Sequence, residues 1–177
     1  WQTNNIINHT KENSDLPSAQ PLVSIRNVEQ KGSTEILIYM EDKTHIFTLV
    51  TSILSQMVLN VTEVSTYRTS NSCILHTYHI LDEQHKAIED LERQEKIKTK
   101  LMQQLSNSEF DLGDARQENS SHRLARTLKQ FSLDTEVSFA EDLENDLTIM
   151  NVTASNRPYL LSKIGHVLIE HKIHLVN

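Results

Sequence analysis

A displacement of 114 positions lays one half of this 177-residue chain on the other without a gap. Ile36 and Ile38 fall on Met150 and Val152. Ile46, Val50, Ile53 and Leu54 fall on Leu160, Ile164, Val167 and Leu168, and Leu59 and Val61 fall on Ile173 and Leu175. Upstream, Val23, Ser24 and Ile25 fall on Val137, Ser138 and Phe139. In each copy a two-residue alternation gives way to three- and four-residue spacing and then returns, the pattern of a strand, a helix and a second strand. Both changes of period keep one register, so the chain contains a repeat of fold, although identities between the copies are sparse.

Between the first strand and the helix of the second copy, Ser155, Asn156 and Pro158 supply a turn and a helix start. In the first copy residues 41–45 form that turn, and the helix over 46–58 directs Ile46, Val50, Ile53, Leu54 and Met57 inward. A strand over 59–69, a hairpin turn at Ser70-Asn71-Ser72 and a strand over 73–81 follow. A second helix is expected over about 83–105, with Ile88, Leu91, Ile97, Leu101, Met102 and Leu105 on one side. Strand, helix, strand, strand, helix and a further strand is the split βαβ order, so the fold class is α+β: ferredoxin-like βαββαβ domains in tandem. The strand over 135–140 either closes the first sheet or opens the second. The second unit is truncated, since nothing corresponds to residues 64–105 of the first.

The remaining stretches read as connections. Residues 1–9 resemble the end of a helix with Trp1, Ile6 and Ile7 as its apolar side, and residues 11–20 are a polar linker bounded by Pro17 and Pro21. Residues 107–134 form a second linker, with a short basic helix over 122–130. The domain division is then 1–20 (an upstream helix and linker), 21–106 (first domain), 107–134 (linker) and 135–177 (start of the second domain). A polar opening without an initiator Met suggests a piece of a longer protein.

Composition narrows the function. A formal charge of −7 and a pI near 5.7 argue against a nucleic-acid binder, which needs a basic face to release counterions. No apolar run reaches the ~18 residues of a membrane span, so no membrane partner is expected. Cys73 is the only cysteine, which excludes an intrachain disulfide and suits a reducing cytoplasm.

Catalytic and metal motifs are not assembled. Three glycines, at 32, 113 and 165, cannot build a dinucleotide fingerprint or a P-loop. Gly32-Ser33 followed by Asp42 lacks the second carboxylate of a two-metal nucleotidyl-transfer site, because Thr44 stands there. His76 and His79 lie three apart on a strand and point to opposite faces. His166, His171 and His174 straddle a helix end without an acidic or cysteine partner at ligand spacing. Cys73, beside Ile74 and Leu75, has no base or orienting group near it in sequence. We therefore expect no catalytic residue, no metal site and no cofactor in this chain. The turns before the two repeated helices are the candidate site, because free N–H groups and the positive end of a helix dipole suit an anion such as an amino-acid carboxylate.

Those turns also carry a resemblance. Glu41-Asp42-Lys43-Thr44-His45-Ile46-Phe47 and Ser155-Asn156-Arg157-Pro158-Tyr159-Leu160-Leu161 resemble the Asp-Arg-Pro-Gly-Leu-Leu turn of ACT domains, small regulatory modules that often bind amino acids. Residues 21–47 and 128–161 resemble the C-terminal region of a family of bifunctional enzymes that add uridylyl groups to PII nitrogen-signalling proteins and remove them. Residues 1–9 look like the segment joining that family's hydrolase domain to its first ACT domain.

The resemblance implies a glutamine-sensing regulatory region. Catalysis would reside in nucleotidyltransferase and hydrolase domains outside this chain, with Mg or Mn and UTP in the parent enzyme and PII as its protein partner. It implies amino-acid ligands at Asp42, Lys43, Thr44, His45, Asn60, Asn156, Arg157, Pro158 and Tyr159. His45 and Tyr159 stand where the family has a small Gly, and Thr44 replaces Pro in the first turn. The alternative reading is a structural module that forms homo-oligomers through its sheets without binding a ligand.

Overall fold

The computed structural model describes residues 20–43, 45–68, 72–107, 134–144, 146–155, 159–173 and 175. They belong to two compact units, one drawn from residues 1–115 and 158–177, the other from 116–157. The expected helices over 1–9 and 122–130 and most of both linkers lie outside the described residues.

In the first unit strands β1 (Leu22–Val28), β2 (Ser33–Glu41), β3 (Asn60–Arg68) and β4 (Cys73–Leu81) form an antiparallel sheet in the order β1-β2-β4-β3. Helix α1 (Ile46–Gln56) connects β2 to β3, and α2 (Leu91–Ser106) follows β4. Val23, Ile36, Ile38, Met40, Ile74, Tyr78 and Ile80 from the sheet meet Ile46, Val50, Ile53 and Leu54 of α1 and Ile97, Leu101 and Leu105 of α2 in one core. Both helices therefore cover the same sheet face, as the split βαβ order requires. β2 is the central element: Ser33 through Met40 are all buried, alternately toward the helices and toward the opposite face.

The sheet is closed by β1, which precedes the split unit in sequence. It pairs with β2 from Leu22↔Tyr39 to Val28↔Ser33, joined by a 3-10 turn (Glu29–Lys31) that ends at Gly32 in the left-handed region, φ 57°. Where a bulky residue would be strained, this glycine reverses the chain freely. The strand over 135–140 therefore opens a second sheet: β5 (Glu136–Asp142) pairs with β6 (Leu147–Thr153).

Helix α2 begins at Leu91, later than the periodicity suggests. The Asp82 carboxylate accepts from the N–H groups of Gln84 and Lys86 at 2.8 and 2.9 Å, folding residues 82–86 into a closed loop. Asp90 then caps the helix by accepting from Glu92 N at 2.9 Å. Between loop and helix, buried Ile88 donates its N–H to Thr34 Oγ1 at 2.8 Å, while its carbonyl accepts from Gln94 Nε2 at 2.6 Å.

The repeat holds at the level of backbone geometry. The β5·β6 pairing runs from Glu136↔Thr153 to Asp142↔Leu147, the β1·β2 register moved by the same 114 positions. Helix α3 (Leu160–Glu170) is the displaced copy of α1. Both helices end alike, with a positive φ at Val58 and Lys172 and hydrogen bonds from Leu59 N to Leu54 O and Ile173 N to Leu168 O. The correspondence stops there. The first copy continues into β3, held by its ladder to β4; among the described residues Ile173 and Leu175 lie in no strand, and no strand pairs with them.

Candidate functional site

The two helix starts share an unusual backbone. An N-cap residue ordinarily takes an extended conformation and offers a side-chain oxygen to the first turn. Here the N-caps are His45 (φ 80°, ψ 6°) and Tyr159 (φ 64°, ψ 9°), both left-handed and neither capping through its side chain. Left-handed backbone costs an L residue about 1–2 kcal/mol, and glycine adopts it freely, which accounts for glycine at this position in the resembling turns. Neither helix carries an acidic residue in its first turn. The early N–H groups thus present the positive end of the helix dipole with no acidic side chain in the first turn.

Around the first turn, Asp42 donates its N–H to Ser72 O at 2.9 Å. Its carboxylate pairs with Arg68 Nη2 at 2.6 Å, which ties the turn to the end of β3. Lys43 is exposed, and Thr44 lies outside the described residues. Nearby on β4, the buried His76 ring receives Thr66 Oγ1 and Tyr78 Oη on its Nδ1 side at 3.0 and 3.5 Å. Burial holds this imidazole at a pKa of about 4, against a smaller opposing pull from Asp42. The same burial pushes the Tyr78 phenol up, so it remains a hydrogen-bond donor. His79, three residues on, sits on the other face of the sheet, as strand geometry demands.

Asn60 opens β3 at the opposite end of α1, about 16 Å along the helix from His45 at 1.5 Å per residue. The first turn and Asn60 are therefore not neighbours. Helix α3 changes the grouping. Its Ser162 hydroxyl meets Ser52 of α1 at 2.6 Å in a buried contact, while Gly165 packs against Thr48 and Phe47. Moving up α3 from 162 to 165 moves down α1 from 52 to 48, so the two helices run antiparallel. Thr48 and Ser52 lie on the side of α1 away from the sheet, opposite Ile46, Val50 and Ile53.

This antiparallel pairing brings the Tyr159 turn to the end of α1 where Asn60 begins, and brings the His45 turn to the far end of α3. The displacement of 114 exchanges the two ends. Asn156, Arg157 and Pro158 lie outside the described residues. Arg68 and the helix contact were missed in the sequence: Arg68 lies 26 positions from its partner, and Thr48, Ser52, Ser162 and Gly165 form no apolar stripe. Their only signal was small residues at two matching positions of the helical repeats, Thr48 with Ser162 and Thr51 with Gly165.

Fold and turns together define a ferredoxin-like α+β protein with repeated, uncapped helix starts. Comparison with known proteins adds a particular likeness. The chain is 34% identical over 173 residues to the bifunctional uridylyltransferase/uridylyl-removing enzyme of Legionella pneumophila (strain Corby), covering 97% of this chain and 19% of that protein. It is 29% identical to the enzyme of the same name from Ectopseudomonas mendocina (strain ymp), over 100% of this chain and 19% of that protein. The Pseudomonas putida (strain GB-1) enzyme is 30% identical with the same coverage. These are relatives of the kind the sequence resemblance indicated, and the chain spans about a fifth of their length. No family model matches the chain, and no solved structure matches it. Among the described residues no helix is long and apolar enough to cross a membrane.

Proposed function

We propose that this chain is a non-catalytic regulatory region of a bifunctional uridylyltransferase and uridylyl-removing enzyme, built from ACT-type units that sense glutamine. Acting on PII proteins, with UTP and Mg or Mn, belongs in this reading to domains elsewhere in the enzyme, in the cytoplasm. The observation that carries it is the pair of left-handed, uncapped helix starts at His45 and Tyr159, repeated at matching positions in a chain similar to those enzymes over nearly its whole length. A glutamine carboxylate suits the N–H groups and positive dipole end of a helix start. Its side-chain amide needs a donor and an acceptor, the pair of groups that an Asn side chain such as Asn60 or Asn156 offers. His45 and Tyr159 keep the glycine backbone while adding a side chain over it, which narrows the approach to the first-turn N–H groups.

Calorimetric titration of the full-length enzyme tests the reading. Glutamine is expected to bind more tightly than glutamate, and Asn156→Ala to weaken it about fivefold, the ~1 kcal/mol of one lost hydrogen bond. No heat and no chemical-shift change at millimolar glutamine would overturn it. The structural alternative draws support from the hairpin of the second unit, where Val137 and Phe139 are 52% and 68% exposed. It predicts concentration-dependent self-association in light scattering, and a monomer across a hundredfold dilution refutes it.

A further inference from the structure

On the sheet face away from α1 and α2, each strand contributes one residue to a single cross-strand row. Arg26 of β1 stands opposite Glu35 of β2, Glu35 opposite His79 of β4, and His79 opposite Glu63 of β3. The row reads cation, anion, imidazole, anion. Glu35 is buried and held by Arg26 through Nε at 3.3 Å and Nη2 at 3.1 Å. His79 is buried too, with Nδ1 3.0 Å from Ser33 Oγ and its backbone carbonyl accepting from Thr62 Oγ1 at 3.1 Å.

A fifth group enters this row from outside it. Lys31, in the 3-10 turn between β1 and β2, extends its ammonium across β4 to Glu63 Oε2 at 2.6 Å, passing His79 Nε2 at 3.3 Å. An ammonium only donates, so Nε2 is the accepting nitrogen and the ring proton sits on Nδ1, facing Ser33. On its other side Nε2 is 3.8 Å from Glu35 Oε2. Among the described residues, the groups facing this nitrogen are one cation, Lys31, and two carboxylates, Glu35 and Glu63, with the Arg26 guanidinium behind Glu35 and neutral Ser33 and Thr62 beside them.

We propose that Lys31 and a proton on His79 are alternative occupants of one electrostatic position, so that the strap from the β1–β2 turn across to β3 is released by acid. With the ring neutral, the ammonium supplies the positive charge between Glu35 and Glu63. When Nε2 takes a proton from solvent, the row itself alternates cation, anion, cation, anion. Lys31 loses its His79 acceptor and faces a like charge 3.3 Å away, which drives it off although Glu63 still attracts it, while the new N–H turns to Glu35. The Lys31 ammonium holds the exposed Glu63 carboxyl below the usual range, which makes Glu63 a sensitive second reporter. Through this exchange the conformation of the turn ending at Gly32 follows the protonation of a ring buried under it.

Proton-detected titration of the chain tests the proposal, following the His79 ring carbons and the amides of Lys31, Gly32 and Glu63. The amides are expected to move with the ring's midpoint. In Lys31→Met, which removes a half-exposed side chain from the surface, the movement of the Gly32 amide with the ring should be lost. In His79→Gln the coupled movement of residues 31 and 32 should vanish. A Gly32 amide that still follows the ring in Lys31→Met, or amides at 31 and 32 indifferent to the ring in the parent chain, overturns the proposal.

Discussion

His76 makes the fold acid-sensitive, and the size of the effect follows from its surroundings. The ring is 3% exposed and its Nε2 is buried without a hydrogen-bond partner among the described residues. A charge there is disfavoured, so the folded-state pKa falls from 6.5 to about 4. Above pH 6.5 the ring is neutral in both the folded and unfolded chain and contributes no pH dependence. As the pH falls below 6.5 the unfolded chain gains a proton that the folded chain refuses. Stability then declines by about 1.4 kcal/mol per pH unit until the folded ring protonates near pH 4. The total is about 3 kcal/mol, a large share of a typical domain's stability. Urea denaturation followed by circular dichroism at pH 7, 6, 5 and 4.5 measures it, with His76→Gln as the non-titrating reference. Wild type should lose roughly 2–3 kcal/mol more than the variant between pH 7 and 4.5. Parallel stability profiles for the two proteins would refute the reasoning.

Three further expectations rest on other elements. Replacing His45 or Tyr159 by Gly removes left-handed strain and should raise stability by up to ~1 kcal/mol each, seen as a higher thermal midpoint, whereas Ala should not. Gly165→Val should cost about 1–3 kcal/mol, because its Cβ would overlap the Thr48 hydroxyl and lie 3.3 Å from Phe47 Cδ1; adding Thr48→Ala should restore much of the loss in the same denaturation assay. Arg26→Met leaves the 6%-exposed Glu35 side chain without its bidentate partner and should cost about 2 kcal/mol by urea unfolding, a value discounted because Arg26 is itself 39% exposed.

Apolar periodicity is a local property, and what it governs was legible. The core-facing residues of α1, the register of the repeat and the split βαβ unit all followed from spacing within one element. The start of α2 was misplaced because residues 83–90 carry helix-compatible chemistry, and only the Asp82 carboxylate, bonding to two nearby N–H groups, commits them to a loop. Which strand closes the first sheet was undecided in the sequence, since LVSIRNV and the 135–140 segment share one pattern; the register with β2 decides it. At the candidate site the turns were visible from their composition and the change of period. Their left-handed caps were marked only by the glycine of the resembling turns, since tyrosine rarely adopts such a backbone and a single histidine does not announce it. The antiparallel contact of α1 with α3 was equally hidden, being made by Ser52, Ser162, Thr48 and Gly165 rather than by an apolar stripe.

The position of β1 ahead of β2 bears on how the chain acquires its structure during synthesis. A closing strand supplied after α2 would meet β2 only once some 70 intervening residues had been threaded and ordered, whereas β1 meets it across a short reversal at Gly32. By loop-closure entropy the nearer pairing is favoured by roughly 2 kcal/mol. It lowers the contact order of the unit and lets a hairpin form before β4 leaves the ribosome. The growing chain then offers the arriving β4 a ready-made edge, so the last backbone pairing in the sheet is the insertion of β4 between β2 and β3.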